Sequence, residues 1–290
     1  MFDSYEHTLT RQGKFVAGYK HCDVTRDSMG TYLFTTLRLL RVMRGSADWK
    51  IGKRVFRLRE GDIIAVNNAE VRQFVHVDPN QGFLCEIFAF LPTIFGSESE
   101  CLRLFYDRGP GFVPVFESSL PGFENVDRIL DLVREAFCSD EDLYAYIVGL
   151  LSAAAAGLVR GIERRAPETL DAGGGLGGAE ISSDAIRYIN DNISNEFSVA
   201  ELASALNLSR GYFTSLFARC TGTTPAEFIN RCRITNVITL LGTKKMNILD
   251  AAFASGFGSS SGFYRTFGAV CGMTPSEYLR RAIHNGDLEN

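Results

Sequence analysis

Two stretches of this chain, LNLSRGYFTSLFARCTGTTPAEFINR from Leu206 and FGSSSGFYRTFGAVCGMTPSEYLRR from Phe257, align at an offset of fifty residues. Ser209/Ser259, Phe213/Phe263, Phe217/Phe267, Gly222/Gly272, Thr224/Thr274, Pro225/Pro275, Glu227/Glu277 and Arg231/Arg281 are identical pairs. Just upstream the offset becomes 49, pairing SVAELASALN with NILDAAFASG, so the turn of the second copy holds one extra residue. A repeat of this kind means that one supersecondary unit occurs twice. In each copy a capping signal opens a short helix: Ser198 with Glu201, then Asn247 with Asp250. Ala203 and Ala252 are small enough for a second helix to cross closely. Asn207 and Gly256 are residue types that tolerate positive φ in the turn that follows. The second helix buries an i, i+4 phenylalanine seam and leaves its opposite face free. Thr224-Pro225 and Thr274-Pro275 then start further helices, with Pro at the first helical position where its missing N–H is harmless. The pattern predicts helix, turn, helix twice. The helix from Thr224 to about Leu241 joins the copies and could hold the two second helices about one DNA turn, ~34 Å, apart.

The remaining chain is long enough for another domain. At 290 residues and 46% hydrophobic, two cores are expected. The segment APETLDAGGGLGGA, residues 166 to 179, is glycine-rich and reads as a flexible linker. Before it, residues 15 to 91 carry β-branched and aromatic runs broken by turn signals: YLFTTLRLLRVM, ADWKIGKRVFRL, REGDIIAVNN, QFVHV and FLCEIFAF. This predicts an antiparallel barrel or sheet. From about 97 to 164 the period becomes helical, with Val126, Ile129, Leu130 and Val133 on one stripe and Leu143, Ile147, Leu150, Leu151, Ala154, Leu158 and Ile162 on another. The fold class is therefore α+β in two domains. A barrel and two helices at about 122 to 164 come first, and an all-α domain from 180 to 290 follows. The apolar stripes of the helix pair suit either packing on the barrel or a homodimer seam.

Charge narrows the partners. The net charge is −4, and over 180 to 290 ten Lys/Arg face ten Asp/Glu, so no bulk basic field draws nucleic acid and any DNA contact must be local. The start lacks a leader's apolar stretch, and no window reaches ~18 uninterrupted apolar residues, which points to a cytoplasmic chain with no membrane partner. Seven scattered cysteines without a C-x-x-C pair read as reduced, inert thiols.

On Gly256-Phe257, Phe263, Phe267, Gly272, Thr274-Pro275 and Glu277-Tyr278, residues 181 to 283 resemble the AraC/XylS family of bacterial transcription regulators. The resemblance implies sequence-specific binding of double-stranded DNA, activation or repression of promoters, and contact with RNA polymerase in an activator. It places base-reading positions at Arg210, Gly211, Thr214 and Ser215 in the first copy and at Ser260, Ser261, Tyr264 and Arg265 in the second. Arg265 is the strong candidate, since a guanidinium fork can grip guanine O6 and N7. Gly211 and Gly262 stand where the family usually carries a larger side chain, and together with the neutral charge they imply that a dimer is needed to hold DNA.

RGSADWKIGKRVFRLREGDIIAVNNAEVRQF resembles the cupin-like sensor domain of the same family, with Gly45, Gly52 and Glu60-Gly61-Asp62 at its hairpin turns. That register puts Tyr32, Phe34, Arg38 and Arg72 where metal-dependent cupins carry ligands. None of these is a metal ligand, so no metal, no cofactor and no enzyme activity are expected. Alternation along TTLRLLRVM leaves open which face is inside; the cupin register turns Arg38 and Arg72 inward, with Glu86 as the internal carboxylate able to neutralise one of them. An anionic small-molecule effector gripped by Arg38 and Arg72 is the first expectation, and a neutral sugar stacked on Trp49 the second. The competing function classes are a cupin enzyme, a helical interaction module that has lost DNA binding, and a DNA-repair fusion.

Overall fold

The computed structural model describes residues 5–24, 31–32, 36–51, 54–67, 72–95, 100–106, 112–165, 175–243 and 246–284. Strands β1 (His7–Arg11) and β2 (Lys14–Val24) form a hairpin, and β3 (Thr31–Tyr32), β4 (Leu37–Ile51), β5 (Arg54–Arg59), β6 (Ile63–Val66), β7 (Arg72–Val77), β8 (Phe83–Phe90) and β9 (Val115–Phe116) complete an antiparallel set. One layer runs β1-β2-β8-β4-β6-β9. The other is built on the far half of β4, which pairs with β5 and β7, while β3 pairs with β7.

β4 belongs to both layers and curls them into a barrel. The sequence pattern suggests two strands broken at Gly45; the chain instead runs through as one strand of 15 residues. A bulge between Val42 and Arg44 bends it, and Gly45 sits just past the bend at φ 81°. A Cβ there would collide with the carbonyl of Gly82, so this glycine serves a close backbone approach within a strand rather than a hairpin end. Gly61, at φ 85°, does sit in the turn between β5 and β6, and Gly52 lies outside the described residues.

Both faces of β4 are buried, which is why alternation could not orient it. Arg38, Leu40 and Val42 share a face with Ile64, Val66, Cys85 and Ile87 in the barrel interior. Leu37 and Leu39 face the other way, with Tyr19, Phe88 and Phe90, onto a helical layer. That layer comprises two 3-10 turns (Pro92–Phe95 and Glu100–Leu102), then α1 (Arg103–Tyr106), α2 (Phe123–Phe137) and α3 (Tyr144–Arg165).

Glu86 also lies on the helical side, so it is not the internal partner of Arg38 or Arg72. Fully buried, it accepts from Tyr19 Oη at 2.7 Å and from Arg41 Nε at 2.8 Å. Arg41 in turn reaches Asp127 at 3.0 Å and Asp131 at 2.9 Å on α2, which fastens that helix to the sheet. Strand parity decides this: Arg41 is the register partner of Glu86, whereas Arg38 pairs with Ala89.

α3 packs on α2 through small residues. A Cβ on Gly157 would stand 2.7 Å from Val126 and one on Gly161 2.8 Å from Leu120, so both glycines serve close packing within the chain. Leu151, Ala154 and Leu158 are fully buried there, while Ala145, Tyr146, Gly149 and Ala153 face outward. By length and composition, α3 is the one described helix able to cross a membrane.

The C-terminal part contains α4 (Gly175–Asn192), α5 (Val199–Ala205), α6 (Arg210–Thr221), α7 (Pro225–Thr243), α8 (Ile248–Ala254), α9 (Ser260–Cys271) and α10 (Pro275–His284). α4 begins inside the segment expected to be a linker; residues 166–174 of that segment lie outside the described residues. Extending an existing helix adds a hydrogen bond per residue, so a nucleated α4 carries its glycines at about 1 kcal/mol each relative to alanine.

The two repeats differ in what they pack on. Ile186 and Ile189 of α4 with Phe213, Leu216 and Phe217 of α6 form one continuous core with Leu102, Leu104 and Phe105 of the N-terminal part. The second repeat has a small core of its own, from Ile234, Val237 and Leu241 of α7 to Ala251, Ala252, Phe257, Phe263 and Phe267.

Candidate functional site

Local chemistry builds each repeat. Ser198 Oγ accepts from Glu201 N at 3.2 Å while Glu201 accepts from Ser198 N at 2.6 Å, a reciprocal cap for α5. Asn247 Oδ1 accepts from Asp250 N at 2.8 Å and starts α8 in the same way. Asn207 at φ 57° and Gly256 at φ 82° make the intervening turns. Ser209 and Ser259 then cap α6 and α9, accepting from Tyr212 N and Gly262 N at 3.3 Å each. Thr224–Glu227 and Thr274–Glu277 are a further pair of reciprocal caps, on α7 and α10. These hydrogen bonds from Thr224 hold the Glu227 carboxyl below the ordinary carboxylate range.

The candidate base readers lie on the outer faces of the two second helices. On α6, Arg210, Gly211 and Ser215 are exposed and Thr214 is half-buried; on α9, Ser260, Ser261, Tyr264 and Arg265 are exposed. Phe213, Phe217, Phe263 and Phe267 take the opposite faces at 0% exposure. Arg265 makes no ion pair among the described residues. Arg210, the first residue of α6, carries the same fork, so Arg265 does not stand alone. The two glycines differ: a Cβ on Gly211 meets nothing within 4 Å, whereas one on Gly262 would stand 3.0 Å from the capping Ser259 Oγ. Tyr212, at 55% exposed, stands beside the α6 candidates and is a further candidate that the sequence reading leaves out. Its signal was the repeat itself, since it is the counterpart of Gly262 on a face kept clear of the core.

The barrel interior holds the second candidate site. Arg38 and Arg72 are both buried, and Lys20 on β2 is buried on the same interior face as Arg38. Arg72 lies opposite Ile51 on β4 and Tyr32 on β3. Phe34 lies outside the described residues. Trp49 stacks on Phe74 with centroids 5.9 Å apart, and its buried Nε1 has no hydrogen-bond partner among the described residues. Arg38 Nε donates to Thr36 Oγ1 at 3.3 Å and Nη2 donates to Tyr5 Oη at 3.4 Å. The Tyr5 ring covers Gly18, where a Cβ would stand 2.6 Å from it, and lies 5.4 Å from Lys20 Nζ. Tyr5 and Thr36 also line a cleft of about 520 Å³ between the barrel and the C-terminal part, whose far wall includes Arg187 and Asn190 of α4 and Thr235 of α7. No group of three or more metal-ligating side chains occurs among the described residues.

The structure thus has two parts, a barrel with a helical layer and two capped helix-turn-helix units on a shared long helix. Residues 202–281 match the family model described as a helix-turn-helix domain. The melibiose operon regulatory protein of Escherichia coli (strain K12) is 34% identical over 98 residues, 34% of this chain and 32% of that protein. A putative AraC-like transcription regulator of Streptomyces antibioticus is 30% identical over 121 residues, 41% of this chain and 39% of that protein. The match thus spans about a third of the length of the first curated relatives, at 32%. Over the whole fold, the chain is similar to unsaturated fatty acid bound wild-type ToxT from Vibrio cholerae strain SCE256, with TM-score 0.60 and 17% identity, covering 93% of this chain and 97% of that one.

Proposed function

We propose that this chain regulates transcription by reading promoter DNA with α6 and α9 while its N-terminal domain senses a small molecule. The observation that carries this reading is the pair of Ser-capped helices whose outer faces are left clear. The intervening α7 is 19 residues long and rises about 28 Å at ~1.5 Å per residue, close to one DNA turn. Homodimerisation adds half-sites and compensates for the neutral charge, and RNA polymerase is the further partner if the protein activates. The chain acts in the cytoplasm, where its DNA is. A gel shift at ~50 mM salt, where electrostatic attraction is strong, tests the reading against DNA upstream of the protein's own gene and its neighbours. Absence of any retarded band selects the competing reading, a helical interaction module.

The effector is a molecule with a carboxylate and an apolar body. Arg38 touches Tyr5 and Thr36, and both of these line the cleft, so an anion entering there meets a guanidinium behind Tyr5. Phe15, Leu91 and Ile193 supply apolar wall. ToxT in its fatty-acid-bound form is a structural neighbour of the same overall fold. Because α4 and α7 form the far wall, an occupied cleft bears directly on the first helix-turn-helix. A neutral sugar against Trp49 is the alternative. Calorimetric titration with fatty acids and with neutral sugars separates them: tight sugar binding that survives in an Arg38→Ala, Arg72→Ala double variant rules the anion out.

A further inference from the structure

Cys22 on β2 and Cys85 on β8 are direct partners in the antiparallel register, and both face the barrel interior. Partners of this kind have Cα atoms about 4.5–5.5 Å apart, inside the ~4.4–6.8 Å span of disulfide-bonded cysteines. Cys85 is buried, whereas Cys22 keeps partial access to solvent. Lys20, two residues before Cys22, and Arg38 lie on the same face.

This environment gives the two sulfurs different tasks. The neighbouring Cys85 thiol, and then the charges of Lys20 and Arg38, hold the Cys22 thiol below its ordinary range despite its burial. The adjacent Cys22, together with complete burial, holds the Cys85 thiol well above. Of the two sulfurs, the more accessible Cys22 is the better nucleophile. A bound metal ion would also suit two thiols, but the ammonium and guanidinium beside them repel a cation, and no third ligand occurs among the described residues.

We propose that Cys22 and Cys85 are a redox pair that forms a reversible disulfide between β2 and β8, with a hydroperoxide as oxidant. The Cys22 thiolate attacks the peroxide O–O bond, forming S–OH and releasing hydroxide (or alkoxide), which takes up a proton. The Cys85 sulfur then attacks the sulfenic sulfur, the S–S bond forms, and water leaves with the Cys85 proton. Two thiols lose two electrons to one peroxide, and a dithiol reductant reverses the change by exchange. The bond would staple two neighbouring strands of the barrel and remove a negative sulfur from beside Lys20 and Arg38. This inference stands apart from the effector reading, because it is tested on the thiols alone.

The test treats the full-length protein with hydrogen peroxide, then denatures it in an alkylating agent and reads it by mass spectrometry. The expected result is the loss of two hydrogens, two fewer alkylated cysteines, a linked peptide pair holding Cys22 and Cys85, and full reversal by dithiothreitol. Cys138→Ser, at an exposed cysteine, should leave the link intact, and Cys22→Ser should leave Cys85 alkylated. The proposal is overturned if Cys22 and Cys85 both remain alkylated after peroxide, or if Cys22 is recovered as sulfinic acid with no link to Cys85. The wild-type measurement decides even where a serine variant fails to fold.

Discussion

Replacing Gly256 by alanine should do more harm than any other single methyl group added to the second repeat. The residue sits at φ 82°, and an alanine Cβ would stand 2.6 Å from the Ile193 carbonyl oxygen and 3.0 Å from the Asn195 oxygen and from Arg233 Nε. Holding an L-residue in the left-handed region costs about 1–2 kcal/mol. The contacts are with backbone on one side and a half-buried guanidinium on the other, so relief means pushing the turn away from the α4–α5 loop. Relieving the contact with Nε displaces the guanidinium, which breaks the Arg233 Nη2 to Asn195 O hydrogen bond of 3.1 Å and shifts it from its place 5.5 Å from the Phe197 ring centroid. A hydrogen bond to a charged group contributes about 1.5–3 kcal/mol. Together the loss is about 2.5–5 kcal/mol, a factor of roughly 70 to 5,000 in the folded population. Gly272→Ala is the matched control: φ is 68°, but a Cβ there meets nothing within 4 Å, so only the conformational part, about 1–2 kcal/mol, should appear. Urea unfolding followed by far-ultraviolet circular dichroism measures both. Equal losses in the two variants would refute the junction argument.

Four further outcomes are expected. Arg41→Met should destabilise the N-terminal domain by about 3–5 kcal/mol in the same assay, because it leaves buried Glu86 without its nearest charge; Glu86→Gln in that background should recover part of the loss. Arg265→Ala should lower affinity for the best DNA site by about 1–3 kcal/mol and flatten preference at one base pair in a binding selection, whereas a phosphate contact would weaken all sequences alike and reduce the salt slope. Tyr146→Glu on the outward face of α3 should dissociate a dimer in sedimentation if that face is the seam; Leu158, fully buried, would only unfold the chain. Hydrogen bonds hold the Glu201 and Glu227 carboxyls below their ordinary value of 4.5 in the folded state, so the stability they contribute is present above that pH and lost as pH falls through their lowered pKa values. Glu227→Gln should therefore make acid unfolding less steep.

The repeats were legible because their signals are local. A serine that caps, a residue that must take positive φ and a proline at a helix start each state their own geometry, and the duplication states it twice. The barrel was legible only as a set of strands. In β4, Leu37 and Leu39 pack on helices while Leu40 and Val42 pack in the interior, so apolar residues on both faces hid the strand's orientation. Glu86 was misplaced for the same reason: its side depends on pairing with Arg41 across a nonlocal register. The length of α4 was hidden by glycines whose intrinsic cost is outweighed by continuation of a packed helix. The cleft was not legible at all, because its walls come from residues as far apart in sequence as Tyr5 and Asn236 and close only when the two domains meet.

The separate small core of the second repeat leaves the first helix-turn-helix welded to the N-terminal part and the second on a short lever. The first helix-turn-helix shares its interior with Leu102, Leu104 and Phe105 and must move with the N-terminal domain as a body. The second is held by eight buried apolar residues and the Gly256 junction, so it should open at lower free energy and exchange its amide hydrogens sooner. If α6 and α9 read DNA as proposed, the first helix to dock fixes a high effective concentration of the other over the adjacent groove. The stiffness of α7, more than the intrinsic grip of α9, would then set how much spacing error between the two sites is tolerated.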